Sequence, residues 1–125
     1  MPYSQRTNPL PIDVRRAVLA VLIRAGGGPL TIAEIVQRTK RDSGLDLASL
    51  PGVSPEQRVS DIMRHQARMG CAVAIGRAVY QLDLQAFSMR TRWRCLHWAQ
   101  VATQRARAWE AGVRLSRYLG EPWDA

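Results

Sequence analysis

Cysteine is scarce in this chain, since Cys71 and Cys95 are the only two among 125 residues. Small folds that depend on disulfides carry a dense set of cysteines, so this chain does not fit that class. A long apolar run is also missing, because the longest covers residues 17–23 and about 20 residues are needed to cross a bilayer. The N-terminal residues lack the hydrophobic region of a signal peptide. We therefore expect a cytoplasmic protein with no membrane partner.

Motifs for catalysis and metal binding are absent as well. The sequence has no Gly-x-Ser-x-Gly, no P-loop and no dinucleotide-binding glycine pattern. His65, Cys71, Cys95 and His97 have the side chains of zinc ligands, but they form neither a CxxC nor a histidine pair at ligand spacing. Cys71 is expected to be a strand residue facing the core, and Cys95 to be a packing residue on a helix. We expect no enzyme activity, no cofactor and no metal.

Lysine is nearly absent, although the chain is strongly basic. Lys40 is the single lysine among eighteen basic residues, and the formal net charge is +8. Such a charge favours a polyanionic partner, above all nucleic acid. Arginine binds phosphates and guanine edges through forked donors, although a GC-rich coding sequence would also enrich it. The excess is densest in residues 84–119, which hold seven arginines and only Glu110.

Apolar periodicity predicts two helices in the first third of the chain. The first begins at Asp13 and is expected to be covered on two sides, because Leu19 and Ile23 widen its apolar stripe. The glycines before Pro29 end it. Thr31 and Glu34 form a capping box that starts the second helix. Three leucines in the loop 42–53 predict that this loop packs onto the core.

A third helix and a hairpin follow. Ser54 is a favourable N-cap, Pro55 suits the first helical position, and Gly70 ends the helix. Residues 71–75 and 78–82 alternate like strands around a two-residue Gly76-Arg77 turn. The predicted pairing places all large side chains on one face: Ile75 with Ala78, Val73 with Tyr80, and Cys71 with Leu82.

The outward face of the third helix is polar and rich in hydrogen-bond donors, as a helix that enters the major groove must be. We predict that Gln57 and Arg58 read bases, that Arg64 and Arg68 contact phosphates, and that Arg77 reaches the minor groove or backbone. The alternative is an ordinary solvated face, with Asp61 paired to Arg58 or Arg64. The complete predicted DNA-binding set is Ser54, Gln57, Arg58, Asp61, Arg64, Arg68 and Arg77.

The segments 30–35 and 54–63, followed by Gly70 and two strands, resemble the winged helix-turn-helix superfamily. The long loop before the Ser-Pro helix start is similar to the HARE-HTH branch, which is associated with DNA. The resemblance covers residues 12–83 and implies a mainly α fold with a small β-hairpin, three helices plus a wing. It differs from the compact helix-turn-helix, whose turn has three or four residues.

Residues 84–119 predict one long helix, or two with a break near Ser88. Their apolar and small residues recur at alternating spacings of three and four, which is typical of the seam of a coiled coil. We expect this seam to be the interface of a homodimer. The helix could instead fold back over the first helix or bind nucleic acid, with its tryptophans either packing or stacking on single-strand bases. The predicted dimer interface comprises Trp98, Val101, Ala108, Trp109, Gly112, Val113, Leu115 and Leu119.

These observations divide the chain into a flexible arm (1–11), a winged helix-turn-helix domain (12–83), an arginine-rich helix (84–119) and a tail (120–125). We expect a dimeric protein of the nucleoid that binds double-stranded DNA, either as a sequence-specific transcriptional regulator or as a general nucleoid protein. Two alternatives remain: an adaptor that binds proteins within a nucleic-acid machine, and an RNA or single-strand binder that uses the Arg/Trp helix.

Overall fold

The first helix begins earlier than the apolar period predicts. In the computed structural model, which describes residues 10–100, helix α1 spans Pro11–Arg24. Proline costs no hydrogen bond at a first helical position, and the Leu10 amide donates to Asp13 Oδ2 at 3.1 Å. Residues 10 and 11 therefore start the helix and do not belong to the predicted arm. The remainder of that arm lies outside the described residues.

Helix α1 is the centre of the hydrophobic core. The prediction that it is covered on two sides is confirmed, because its buried residues are nearly consecutive and not confined to one stripe. The described part of the chain is mainly helical, with a small three-stranded antiparallel sheet. The buried residues of α1 are Val14, Ala17, Val18, Leu19, Ala20, Val21 and Leu22.

Helix α2 (Ile32–Ser43) begins with the predicted capping box. The Glu34 amide donates to Thr31 Oγ1 at 3.1 Å, and the Thr31 amide donates to Glu34 Oε1 at 3.2 Å. The bond from the Thr31 amide, with a smaller contribution from the Thr31 side chain, lowers the pKa of Glu34 below its usual value. The loop after α2 packs onto the core as predicted, since Leu47, in a short 3₁₀ turn (Leu47–Ser49), is buried.

Helix α3 (Pro55–Arg68) also begins as predicted. Ser54 Oγ accepts the Gln57 amide at 3.2 Å, and proline occupies the first turn. Val59, Met63 and Gln66 are buried against the core, so the opposite face of the helix is turned to solvent.

The sheet has one strand that the sequence did not reveal. Strands β1 (Leu30–Thr31), β2 (Ala72–Gly76) and β3 (Val79–Leu82) lie in the order β1-β3-β2, all antiparallel. The loop before β1 extends this pairing, because the Leu82 amide donates to Gly27 O at 2.7 Å. A strand of two residues leaves no alternation to recognise, so only its partner β3 defines it.

The predicted hairpin register is wrong by one residue. Ala74 lies opposite Tyr80, and Ala72 opposite Leu82. The base of the hairpin determines this register, since the Cys71 amide bonds to the last turn of α3 and Cys71 O accepts the Asp83 amide at 2.9 Å. Cys71 is therefore matched with the residue after β3, and the small Ala72 faces inward beside α3.

The shift changes which face the large side chains of β2 occupy. Val73 and Ile75 are 57% and 49% exposed, whereas the prediction placed them with Tyr80 on the covered face. An irregularity between Ala74 and Gly76 moves the turn to residues 77 and 78, where Ala78 adopts a left-handed φ of 58°. A regular pairing of the two strands has no place for the extra residue of this bulge, so the predicted register was shifted.

Of the two alternatives for the start of segment 84–119, the structure has a break near Ser88, but no α-helix precedes it. A short 3₁₀ turn (Leu84–Ala86) ends at Phe87, and Ser88 Oγ then accepts the Thr91 amide at 3.1 Å at the start of a new helix. Residues 89–100 are helical, and Cys95 and Ala99 join the core. Of the predicted dimer interface only Trp98 lies within the described residues, and it is partly buried.

Candidate nucleic-acid interface

The solvent face of α3 carries one polar stripe. Gln57, Asp61, Arg64 and Arg68 are all exposed and recur at spacings of three and four residues, so they share one side of the helix. Four of the predicted DNA-binding residues are thereby brought together, and the Ser54 cap is exposed at the start of the same helix.

Asp61 is the one acidic residue in this stripe, and its neighbours within the stripe offset its charge. Gln57 Nε2 donates to Asp61 Oδ1 at 2.8 Å, and Arg64 Nη1 lies 3.9 Å from the same oxygen. Of the two alternative pairings considered for Asp61, the one with Arg64 is present. A carboxylate that is hydrogen-bonded and next to a guanidinium repels a phosphate less than a free one does.

Arg58 does not belong to the stripe. Its Nη2 donates to Pro51 O at 2.7 Å, in the loop that precedes α3, and the side chain is partly buried. Its Nε is buried without a hydrogen-bond partner among the described residues. The guanidinium therefore fastens the loop to the helix, and reading a base would require it to leave this contact.

Arg77 is exposed at the hairpin turn, next to the start of α2. The Ile32 amide donates to Ala78 O at 2.9 Å, so β1 and the first residue of α2 lie alongside the hairpin as far as its turn. The hairpin consequently extends little beyond β1. Arg77 is presented at the body of the domain, and no long wing carries it.

Ion pairs neutralise the basic side chains at the end of α2. Lys40 lies 3.8 Å from Asp46, and Asp42 is approached by Arg24 at 3.7 Å and by Arg41 at 2.8 Å. Four other exposed arginines make no ion pair with an acidic group within residues 10–100. These four are Arg68, Arg77, Arg90 and Arg94.

Helix 89–100 presents a second polar and aromatic surface. Trp93 is 61% exposed and stacks on His97, with ring centroids 4.5 Å apart and planes 8° from parallel. Arg92 differs from its neighbours, because it turns inward and donates to the carbonyls of Phe87 and Leu84. The sequence favoured packing for the tryptophans, but Trp93 lies outside the core. The signal that could have indicated this is its position on the side of the helix opposite the buried Cys95.

The histidines and cysteines are dispersed, and within residues 10–100 no group of three or more possible metal-binding side chains occurs. Burial raises the pKa of the Cys95 thiol, while Arg16 and Arg15 of α1 act in the opposite direction. Cys95 is thus a neutral packing residue beside α1, as predicted, whereas Cys71 is only partly buried. No helix in the described part of the chain has the length and apolar character to cross a bilayer.

No protein-family model, curated protein or solved structure matches this chain. The arrangement offers exposed guanidinium groups, one amide and one open aromatic ring, which suit binding to phosphates and bases.

Proposed function

We propose that this protein binds double-stranded DNA through the outward stripe of α3 and Arg77, as a member of the winged helix-turn-helix class. The element order supports the class, because a strand after the first helix pairs with a hairpin that follows the third helix. The long loop before Ser54 is the feature that favours the HARE-HTH branch within this class.

One observation carries the proposal: a single straight row of exposed polar residues on a helix whose other face is fixed in the core. A rigid helix with donors on its free side is the geometry that the major groove accepts. Arg64 and Arg68 supply the positive charge in the C-terminal half of the stripe. Glu56 and Asp61 lie in the N-terminal half, so phosphates are expected to meet the C-terminal half.

The engaged state of Gln57 and Arg58 favours a general nucleoid protein over a strict sequence reader. Gln57 already donates to Asp61, and Arg58 already donates to Pro51 O. Bidentate recognition of adenine or guanine needs these donors free. Binding would then be dominated by phosphate contacts, which carry no sequence information.

Titration of a fluorescent duplex at several salt concentrations tests the proposal. Arg68→Ala and Arg77→Ala should each weaken binding and reduce the slope of log K against log salt by about 0.9, the value of one phosphate contact. Arg41→Ala is the matched control, because it removes the same charge from an exposed side chain that is paired with Asp42.

Equal losses for Arg41→Ala and Arg68→Ala would contradict a site on α3, since net charge alone would then explain binding. Failure of the folded wild type to bind duplex at low salt would remove the proposal altogether. If the wild type discriminates between duplex sequences and Gln57→Ala does not, the protein is a sequence-specific binder that reads bases through Gln57.

A further inference from the structure

We propose that helix 89–100 carries a separate site for single-stranded nucleic acid, formed by Trp93, His97, Arg90 and Arg94. Together these four residues form the Trp93 platform. All four are exposed. The site lies on a different element from the α3 stripe and does not depend on the duplex-binding proposal.

The ring of Trp93 has one face covered and one face open. His97 lies parallel to it at 4.5 Å and covers one side. Because the side chain is nevertheless 61% exposed, most of that accessible area belongs to the other face and the outer edge. A base that stacks on the free face would extend this stack and bury the exposed indole.

The charges beside the ring match a nucleic-acid backbone. Arg90 and Arg94 are four residues apart, so they form a row next to the row of Trp93 and His97. Neither arginine has an ion pair among the described residues, whereas Arg92 is held by backbone carbonyls and contributes to the fold. An aromatic face flanked by free guanidinium groups is the arrangement that binds bases and phosphates of a single strand together.

A stacked base explains this surface better than a hydrophobic partner does. Cys95 and Ala99 are buried in the core on the opposite side of the helix and Leu96 packs against it, so Trp93 is not needed for packing. A protein partner that buried this surface would have to remove both arginines from water. This desolvation is costly unless the partner supplies acidic groups that pair with them. Single strands leave the bases unpaired and accessible, whereas a duplex stacks them internally.

Fluorescence-anisotropy titrations at low salt, with labelled oligo(dT) and oligo(U) about fifteen nucleotides long, test the site. Trp93→Leu should raise Kd for the single strand about tenfold, because the base loses the flat ring on which it stacks. Trp93→Phe should retain most of the affinity because it keeps a flat ring. Arg94→Ala should reduce the salt slope by about 0.7. The two oligomers distinguish DNA from RNA as the preferred strand.

Duplex titrations of the same variants separate this proposal from the one above. Trp93→Leu should leave duplex affinity unchanged, and Arg68→Ala should leave single-strand affinity unchanged. The platform is refuted if Trp93→Leu binds both oligomers like the wild type, or if Trp93→Phe is as weak as Trp93→Leu. A Trp93→Leu protein that changes its sedimentation but keeps its single-strand affinity would assign the ring to a protein interface instead.

Discussion

At the scale of single residues, Gly27 meets two constraints at once. Its φ of +102° lies where side chains rarely fit, and a Cβ built there would stand 2.9 Å from Leu82 O. That carbonyl belongs to the last residue of β3, whose amide in turn donates to Gly27 O. The close approach of these two backbones connects the end of α1 to the sheet.

Gly27→Ala is expected to lower the free energy of unfolding by at least about 2 kcal/mol, because backbone strain and the contact with Leu82 O add together. Gly26→Ala is the control, since Gly26 also has a positive φ (+71°) but no atom within 4 Å of its Cβ position. It should cost only about 1 kcal/mol. Urea unfolding of both variants measures the difference, and equal losses would show that the close approach contributes nothing.

At the scale of elements, the starts of α2 and α3 were predictable, whereas the start of α1, the register of the hairpin and the strand β1 were not. The caps at Thr31, Ser54 and Ser88 work through bonds to residues three positions away, so local sequence specifies them. The register of the hairpin depends on Cys71 and Asp83, which meet only after α3 has packed. A short strand such as β1 is defined by its partner and has no local pattern.

The same distinction applies to the candidate site. The stripe of Gln57, Asp61, Arg64 and Arg68 followed from helical spacing, and the structure brings these residues together. The contact of Arg58 with Pro51 O could not be predicted, because the path of the loop 42–53 decides it. Helical spacing also leaves open which side of helix 89–100 meets the core, and the burial of Cys95 gives the answer.

Arg58→Ala is expected to destabilise the fold by about 1–2 kcal/mol, since it removes a charged hydrogen bond from the loop that orients α3. Arg64→Ala, on the exposed stripe, should stay within about 0.5 kcal/mol of the wild type. Denaturant midpoints with unchanged m-values measure both. A stable Arg58→Ala protein that loses discrimination between duplex sequences would instead identify Arg58 as a base-reading residue.

At the scale of the whole molecule, helix 89–100 packs on its own domain through Cys95 and Ala99. The predicted dimer seam begins at Trp98, and its other members lie beyond residue 100, outside the described residues. Cys95 and Ala99 belong to the same hydrophobic core as the buried residues of α1, so the described part of this helix is docked on its own domain. Dimerisation therefore concerns the continuation of the chain and stays a prediction.

We predict a homodimer at micromolar concentration, because the seam would otherwise leave apolar side chains without a partner. Replacing Val113 and Leu115 together with Glu should give a folded monomer with much weaker duplex affinity, since two linked sites no longer bind at once. Trp93→Leu is the control and should sediment like the wild type. A wild-type species of 14.0 kDa in sedimentation velocity would exclude the dimer.

The sequence by itself determined the helices α2 and α3 with their caps, the polar stripe of α3 and the basic charge. Each of these depends on residues within about one or two turns of each other, so local spacing contains the information. Only the tertiary structure decided the hairpin register, the strand β1, the anchoring of Arg58 and the exposure of Trp93. These features arise where segments distant in the chain meet, because there packing and backbone pairing choose among arrangements that local preferences leave nearly equal.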